Sequence, residues 1–220
     1  MPTYLIKNTC IVNEGTQLYG DVLLKNNRIE RIAANIQTTE AAIEIDGINQ
    51  YLLPGCIDDQ VHFREPGLTH KANIYTEAKA AIAGGVTSFM EMPNTNPPVF
   101  TQALLEQKYE IGKQTALGNY SFYMGTSNDN LEEILKTNAK KNDVCGVKVF
   151  MGSSTGNLLV DSPLVLESVF EGCELLIATH CEEESIIKAN LAKLKSEKAV
   201  LNPADHPIIR NDEACFESSF

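Results

Sequence analysis

The chain is short of positive charge. Its 18 Lys and Arg stand against 29 Asp and Glu, a formal net charge of −11 and a pI near 4.8. That balance argues against nucleic acid or an anionic membrane as the main partner. It leaves a small anionic substrate open, because a local Arg or Lys can still build a positive pocket. No apolar run approaches the ~18 residues that a membrane span needs. The opening Met1-Pro2-Thr3-Tyr4-Leu5-Ile6-Lys7-Asn8 lacks the charged-then-apolar layout of a signal peptide. There is no C-x-x-C pair: Cys10, Cys56, Cys145, Cys173, Cys181 and Cys215 are scattered and read as free thiols in a reducing cytoplasm. Internal repeats and low-complexity tracts are missing as well. What remains is the composition of a soluble globular protein, 43% hydrophobic and 21% charged over 220 residues, enough for one or two domains with a sizeable core.

Two rhythms divide the chain. Residues 1–53 read as short β-strands: Tyr4-Leu5-Ile6, Cys10-Ile11-Val12, a hairpin from Asp21–Leu24 to Arg28–Ile32 around Asn26-Asn27, and the alternating Ala42–Asp46. This predicts the N-terminal part of a small β-sandwich. From residue 54 the pattern becomes strand, helix, strand, helix. Strands are predicted at Gly55–Asp58, Val86–Met92, Tyr120–Met124, Gly146–Phe150 and Leu175–Thr179, with helices near 73–83, 101–113, 129–139, 162–170 and 182–197. Alternation of this kind implies α/β architecture with a parallel sheet. Polar residues follow the strands directly: His62 and Arg64, Asn94, Lys148, His180. In a TIM-type (β/α) barrel the site lies at the C-terminal strand ends, and a full barrel has eight strands in about 250 residues. Five strands in residues 54–220, followed by a helix beginning in 207–216, predict the first part of such a barrel and a chain that is the N-terminal portion of a longer protein.

Pro54-Gly55-Cys56-Ile57-Asp58-Asp59-Gln60-Val61-His62-Phe63-Arg64-Glu65-Pro66-Gly67 is the most specific stretch. An apolar strand runs into a polar cluster and then a Pro-Gly stop, and residues two apart on an extended strand share a side. A second signature is Met92-Pro93-Asn94-Thr95-Asn96-Pro97, a rigid polar loop after an apolar strand. A third is Lys148 inside Gly146-Val147-Lys148-Val149-Phe150. A lysine in an apolar strand is costly unless its charge is lost or paired, and burial favours the neutral amine; the plainer reading is a lysine reaching out from a strand end. His180 ends the apolar run Leu175–Thr179. Cys181 beside it points the other way and reads as packing. His70 and His206 read as structural or peripheral, and 152–157 as a flexible loop over the site.

Together these motifs resemble the dihydroorotases of the amidohydrolase superfamily, over residues 52–217. The family's opening pattern is matched except that Gln60 stands where the first metal-binding His is found. The resemblance implies His62, Lys148 and His180 as metal positions, Lys148 also catalytic through N6-carboxylation, and Arg64 and Asn94 as substrate-binding residues. It implies zinc, one or two ions, with the count lowered by Gln60, because a neutral amide oxygen is a poorer zinc ligand than imidazole. Two further metal positions of the family, a His and an Asp that also serves as base, fall beyond Phe220. The implied activity is reversible hydrolysis of dihydroorotate to N-carbamoyl-L-aspartate in pyrimidine biosynthesis, by a cytoplasmic homo-oligomer with no nucleic-acid or membrane partner. The 220-residue chain alone is then expected to be inactive. The alternatives are a hydantoinase or dihydropyrimidinase-like cyclic amidase, and a non-catalytic relative acting as a structural partner.

Overall fold

The computed structural model describes residues 2–152 and 157–220, which form two compact units, Met1–Cys56 and Ile57–Phe220. The loop expected over 152–157 lies, in its residues 153–156, outside the described residues.

The first unit is one mixed sheet. Its strands are β1 (Tyr4–Asn13), β2 (Thr16–Lys25), β3 (Arg28–Ala33), β4 (Ile43–Asp46) and β5 (Tyr51–Leu52), in the order β3-β2-β1-β4 with β5 also on β1. The hairpins β1–β2 and β2–β3 are antiparallel, while β4 and β5 lie parallel to β1. Asn26 and Asn27 both take positive φ, 52° and 59°, the backbone of a two-residue hairpin turn matched to strand twist. The two short strands read at Tyr4–Ile6 and Cys10–Val12 are a single strand. A register shift between Ile6 and Thr9 absorbs the polar residues between them, with Asn8 at φ 59°. The Asp21 carboxylate fastens this irregularity: it accepts the Asn8 N–H and the Ile36 N–H, each at 2.9 Å. Leu5, Leu23 and Ile36 form the small core beside it.

The second unit is a parallel half-barrel, an incomplete TIM-type sheet. Strands β6 (Cys56–Val61), β7 (Val86–Glu91), β8 (Asn119–Gly125), β9 (Gly146–Phe150) and β10 (Ile177–His180) pair in chain order. Helices α1 (Ile74–Ala83), α2 (Gln102–Thr115), α3 (Leu131–Lys136) and α4 (Pro163–Gly172) fill the four crossovers, and α5 (Glu184–Glu197) follows β10. Local chemistry sets these boundaries. Asn73 closes a capping box with Thr76 at the start of α1, and Gly85 at φ 91° turns the chain into β7. Thr101 caps α2 by accepting from the Leu104 N–H. The helix expected over 207–216 is instead two short ones, α6 (His206–Ile209) and α7 (Asp212–Ser219). The break falls at Arg210-Asn211, because the Asn211 side chain accepts the Ala214 N–H and starts a new helix.

The sheet has two different faces. Phe89, Phe122, Met124, Val147 and Val149 join Ile74, Ala78, Leu105, Ile134 and Val169 in one buried core against the helices. Lys148 is paired with Gly125 and Ala178 across its neighbouring strands, so it lies on the opposite face from Val147 and Val149.

Candidate active site at the strand ends

The end of β6 sets the site's first wall. The strand stops at Val61, and Phe63 turns into the helix-side core with its ring 4.6 Å from Phe89. His62 is left on the other side, where its Nδ1 lies 2.9 Å from Asn94 Oδ1 on the loop after β7. If Nδ1 donates here, Nε2 stays free and the Asn94 amide N–H2 can still donate. Burial lowers the His62 pKa, and the Arg64 charge lowers it further against the opposing pull of Asn94. The shift favours the neutral imidazole, although the residue is exposed.

Arg64 departs from the extended geometry that the sequence suggests. Its φ is 71°, a left-handed conformation uncommon for a long side chain. What holds it is Glu91, the last residue of β7, whose Oε1 accepts the Arg64 N–H at 2.9 Å. Glu91 is itself buried and pairs at 2.9 Å with the Lys108 Nζ of α2, which also donates to Met92 O at 2.9 Å. Burial pushes the Glu91 carboxyl up and the Lys108 amine down, each opposed by the partner's charge. The loop after β6 is also locked to the loop after β7. Asn96 N–H donates to Pro66 O at 3.1 Å, and a Cβ at Gly67 (φ 82°) would sit 1.9 Å from Asn96 O. Sequence reading missed Glu91 and Lys108. The signal was present: the argument used for Lys148, a charge in an apolar run, applies equally to Phe89-Met90-Glu91-Met92 and to Lys108 behind Leu104 and Leu105.

The second wall comes from β9 and β10. Lys148 is 3% exposed, and no carboxylate among the described residues pairs with it. Its Nζ lies 4.9 Å from the centroid of the Phe150 ring, and burial lowers its pKa. Phe150 in turn sits 6.1 Å from the His180 ring. His180 Nε2 is 2.7 Å from Glu182 Oε2, and Glu182 is gripped by Arg210 through both Nε and Nη2. Gln60 is exposed on β6, and its backbone N–H bonds to Asp58. Cys181 bonds Thr179 Oγ1, His70 is exposed, and His206 opens α6.

Among the described residues no three His, Cys, Asp or Glu side chains cluster as a metal site. The donor set still fits one. Each histidine has one ring nitrogen engaged by an oxygen and the other left over, the arrangement by which second-layer partners orient imidazole ligands. The third candidate is the buried Lys148 amine, with no carboxylate partner among the described residues, which as a carbamate would become an anionic oxygen donor.

The sequence pattern of the amidohydrolase family matches residues 51–201. The chain belongs to the amidohydrolase family. Among curated amidohydrolases it is 31% identical over 188 residues to the dihydroorotase of Methanosarcina acetivorans, covering 84% of this chain and 40% of that one. It is 33% identical over 186 residues to the dihydroorotase of Listeria welshimeri, covering 84% and 43%. The chain thus spans about two-fifths of the length of the curated relatives it matches. Among solved amidohydrolase structures it superposes on the L-hydantoinase (dihydropyrimidinase) of Arthrobacter aurescens with TM-score 0.90, 26% identity, and 99% of this chain against 49% of that one. The dihydropyrimidinase of Brevibacillus agri gives 0.81 at 27% identity, with 99% and 48% covered. Among the described residues no helix is long and apolar enough to cross a membrane.

Proposed function

We propose that this amidohydrolase chain carries the substrate grip and part of the metal site of a dihydroorotase, which interconverts dihydroorotate and N-carbamoyl-L-aspartate in pyrimidine biosynthesis. The observation that carries the reading is the cluster at the ends of β6 and β7: His62 bonded to Asn94, with Arg64 close enough for its charge to depress the imidazole. An Arg fork takes a carboxylate through two parallel N–H bonds, and the free N–H2 of Asn94 can donate to the same anion. Together they would hold the substrate carboxylate and turn the scissile amide toward Lys148 and His180. His62, Lys148 and His180 would hold zinc, one or two ions. When bound, the zinc polarises the amide carbonyl and activates water near neutral pH. Lys148 suits its part because burial lowers its pKa and so enlarges the neutral fraction of the amine, which can add carbon dioxide at Nζ, form an N–C bond and release a proton. Gln60 favours the lower metal count. In this reading the whole protein is a cytoplasmic homo-oligomer acting on small molecules.

The L-hydantoinase likeness favours a second reading, a cyclic amidase whose substrate lacks a carboxylate. Calorimetry of the chain with L-dihydroorotate and with dihydrouracil separates the two. The first reading expects dihydroorotate to bind at least about tenfold more tightly and Arg64→Met to erase the difference; equal binding of both ligands supports the hydantoinase reading. A carbamate carbon signal after 13C-bicarbonate labelling, absent in Lys148→Arg, is the matching check on Lys148.

A further inference from the structure

The buried Glu91–Lys108 pair lies outside every role assigned so far, and its contacts give it one. Glu91 ends β7, three residues before Asn94, and its Oε1 reaches back to the Arg64 N–H on the neighbouring loop at 2.9 Å. Its other oxygen meets the Lys108 ammonium, which is anchored to Met92 O at the same strand end. Both side chains are almost fully shut from water, at 0% and 1% exposure. Two ions sealed in this way gain little net stability over apolar residues of equal size. A left-handed backbone at a non-glycine residue is also unfavourable and persists only where the surroundings over-determine it. The two costs meet at one hydrogen bond.

We propose that Glu91, neutralised by Lys108, is a positioning residue: its carboxylate holds the Arg64 backbone in the left-handed conformation and so sets the direction in which the guanidinium-bearing side chain leaves the chain. The proposal rests on reading Arg64 as the carboxylate grip. It makes Glu91 the tie between the two substrate-binding loops, since Glu91 ends β7 and Asn94 lies on the loop that follows it. Asn96 and Gly67 close the same junction from the other side, so Arg64 is fixed from below by a charged acceptor and from the flank by backbone.

The test uses paired double variants of the full chain, because a single change strands a buried charge. Glu91→Gln with Lys108→Met keeps an acceptor oxygen and removes both charges; Glu91→Leu with Lys108→Met removes the acceptor as well. Amide hydrogen exchange at Arg64, and the intraresidue amide-to-Hα NOE that marks a positive φ, read the backbone directly. Calorimetry with N-carbamoyl-L-aspartate reads the grip. The Leu double variant is expected to lose protection at Arg64 by about tenfold or more while Phe122 stays protected, and the Gln double variant to stay within about twofold of the parent. Equal protection of Arg64 in the two variants, or an undiminished NOE in the Leu variant, overturns the positioning role. Binding separates the premise from the proposal. A parent chain that ignores N-carbamoyl-L-aspartate, or binds it equally well as Arg64→Met, removes the reading of Arg64 and with it the proposal, whatever the exchange shows. Weaker binding in the Leu variant alone supports both.

Discussion

Two buried carboxylates do the same backbone work in the two units, with opposite electrostatic outcomes. Asp21 in the N-terminal sheet and Glu91 in the half-barrel each accept the N–H of a left-handed residue that is not glycine: Asn8 at φ 59° and Arg64 at φ 71°. Asp21 answers its burial mainly with amides, helped by the charge of Lys7. Desolvation pushes its pKa up, the Asn8 and Ile36 N–H groups pull harder the other way, and the net result lies below the ordinary Asp value. Glu91 has a full cation beside it and accepts from the Arg64 and Phe63 amides as well, yet its pKa ends above the ordinary value, because desolvation outweighs them together. Glu91 has more partners than Asp21 and still ends on the other side of its ordinary value, so the depth of burial between sheet and helix, not the number of donors, separates the two. The tasks differ too. Asn tolerates the left-handed region through local hydrogen bonding, whereas a long unbranched Arg does not, so the half-barrel carboxylate restrains the less willing residue.

The largest expected effect comes from Lys108→Met, which leaves Glu91 buried without its cation. It should cost the half-barrel roughly 3–5 kcal/mol in urea unfolding followed at its own tyrosines. Asp21→Asn removes a charge opposed by Lys7 alone, and one N–H loses its best acceptor. The expected loss is about 1–3 kcal/mol, confined to the N-terminal sheet. Equal losses would break the contrast between amide and cation. Smaller still is relief of backbone strain. Arg64→Gly should recover roughly 1 kcal/mol of conformational cost where Asn8→Gly recovers only a few tenths, measured as denaturant midpoints.

Acid sharpens the same contrast through its sign. The folded Asp21 pKa is depressed, so the unfolded chain binds more protons in that window. Its contribution is present above the unfolded value of ~3.9 and is lost as pH falls through the folded one. The folded Glu91 pKa is raised, so the folded chain binds more protons above the unfolded value of ~4.3. Its contribution is greatest in acid and declines as pH rises toward the folded value. Melts between pH 3 and 6, with residue-resolved probes in each unit, should therefore slope in opposite directions for these two groups. Parallel slopes that persist in Asp21→Asn and in the neutral Glu91 double variant would remove either carboxylate as the cause.

The half-barrel was largely legible in the sequence because period and punctuation agree there. Five apolar runs alternate with amphipathic stretches, and Asn73, Gly85 and Thr101 mark boundaries within a residue or two of those observed. The placement of His62, Asn94, Lys148 and His180 at or just past strands was legible for the same reason. The backbone at Arg64 was not: alternation predicts an extended residue, and only a carboxylate arriving from the next strand makes the left-handed one tenable. Glu91 with Lys108 and Glu182 with Arg210 escaped because each pairing joins separate elements, and nothing in either partner's local sequence names the other. The continuity of β1 through Asn8 was hidden likewise, since Asp21, which makes the irregularity possible, lies on the next strand.

The strand order of the half-barrel has a consequence in time. Because β6 to β10 pair in the order in which they are synthesised, each strand leaving the ribosome meets an edge already formed and needs no partner still unmade. The His62–Asn94 contact and its Glu91–Lys108 support are complete once α2 has emerged, before Lys148 exists. The residues proposed as the anion grip are thus made first in every nascent molecule, and Lys148 and His180 follow them.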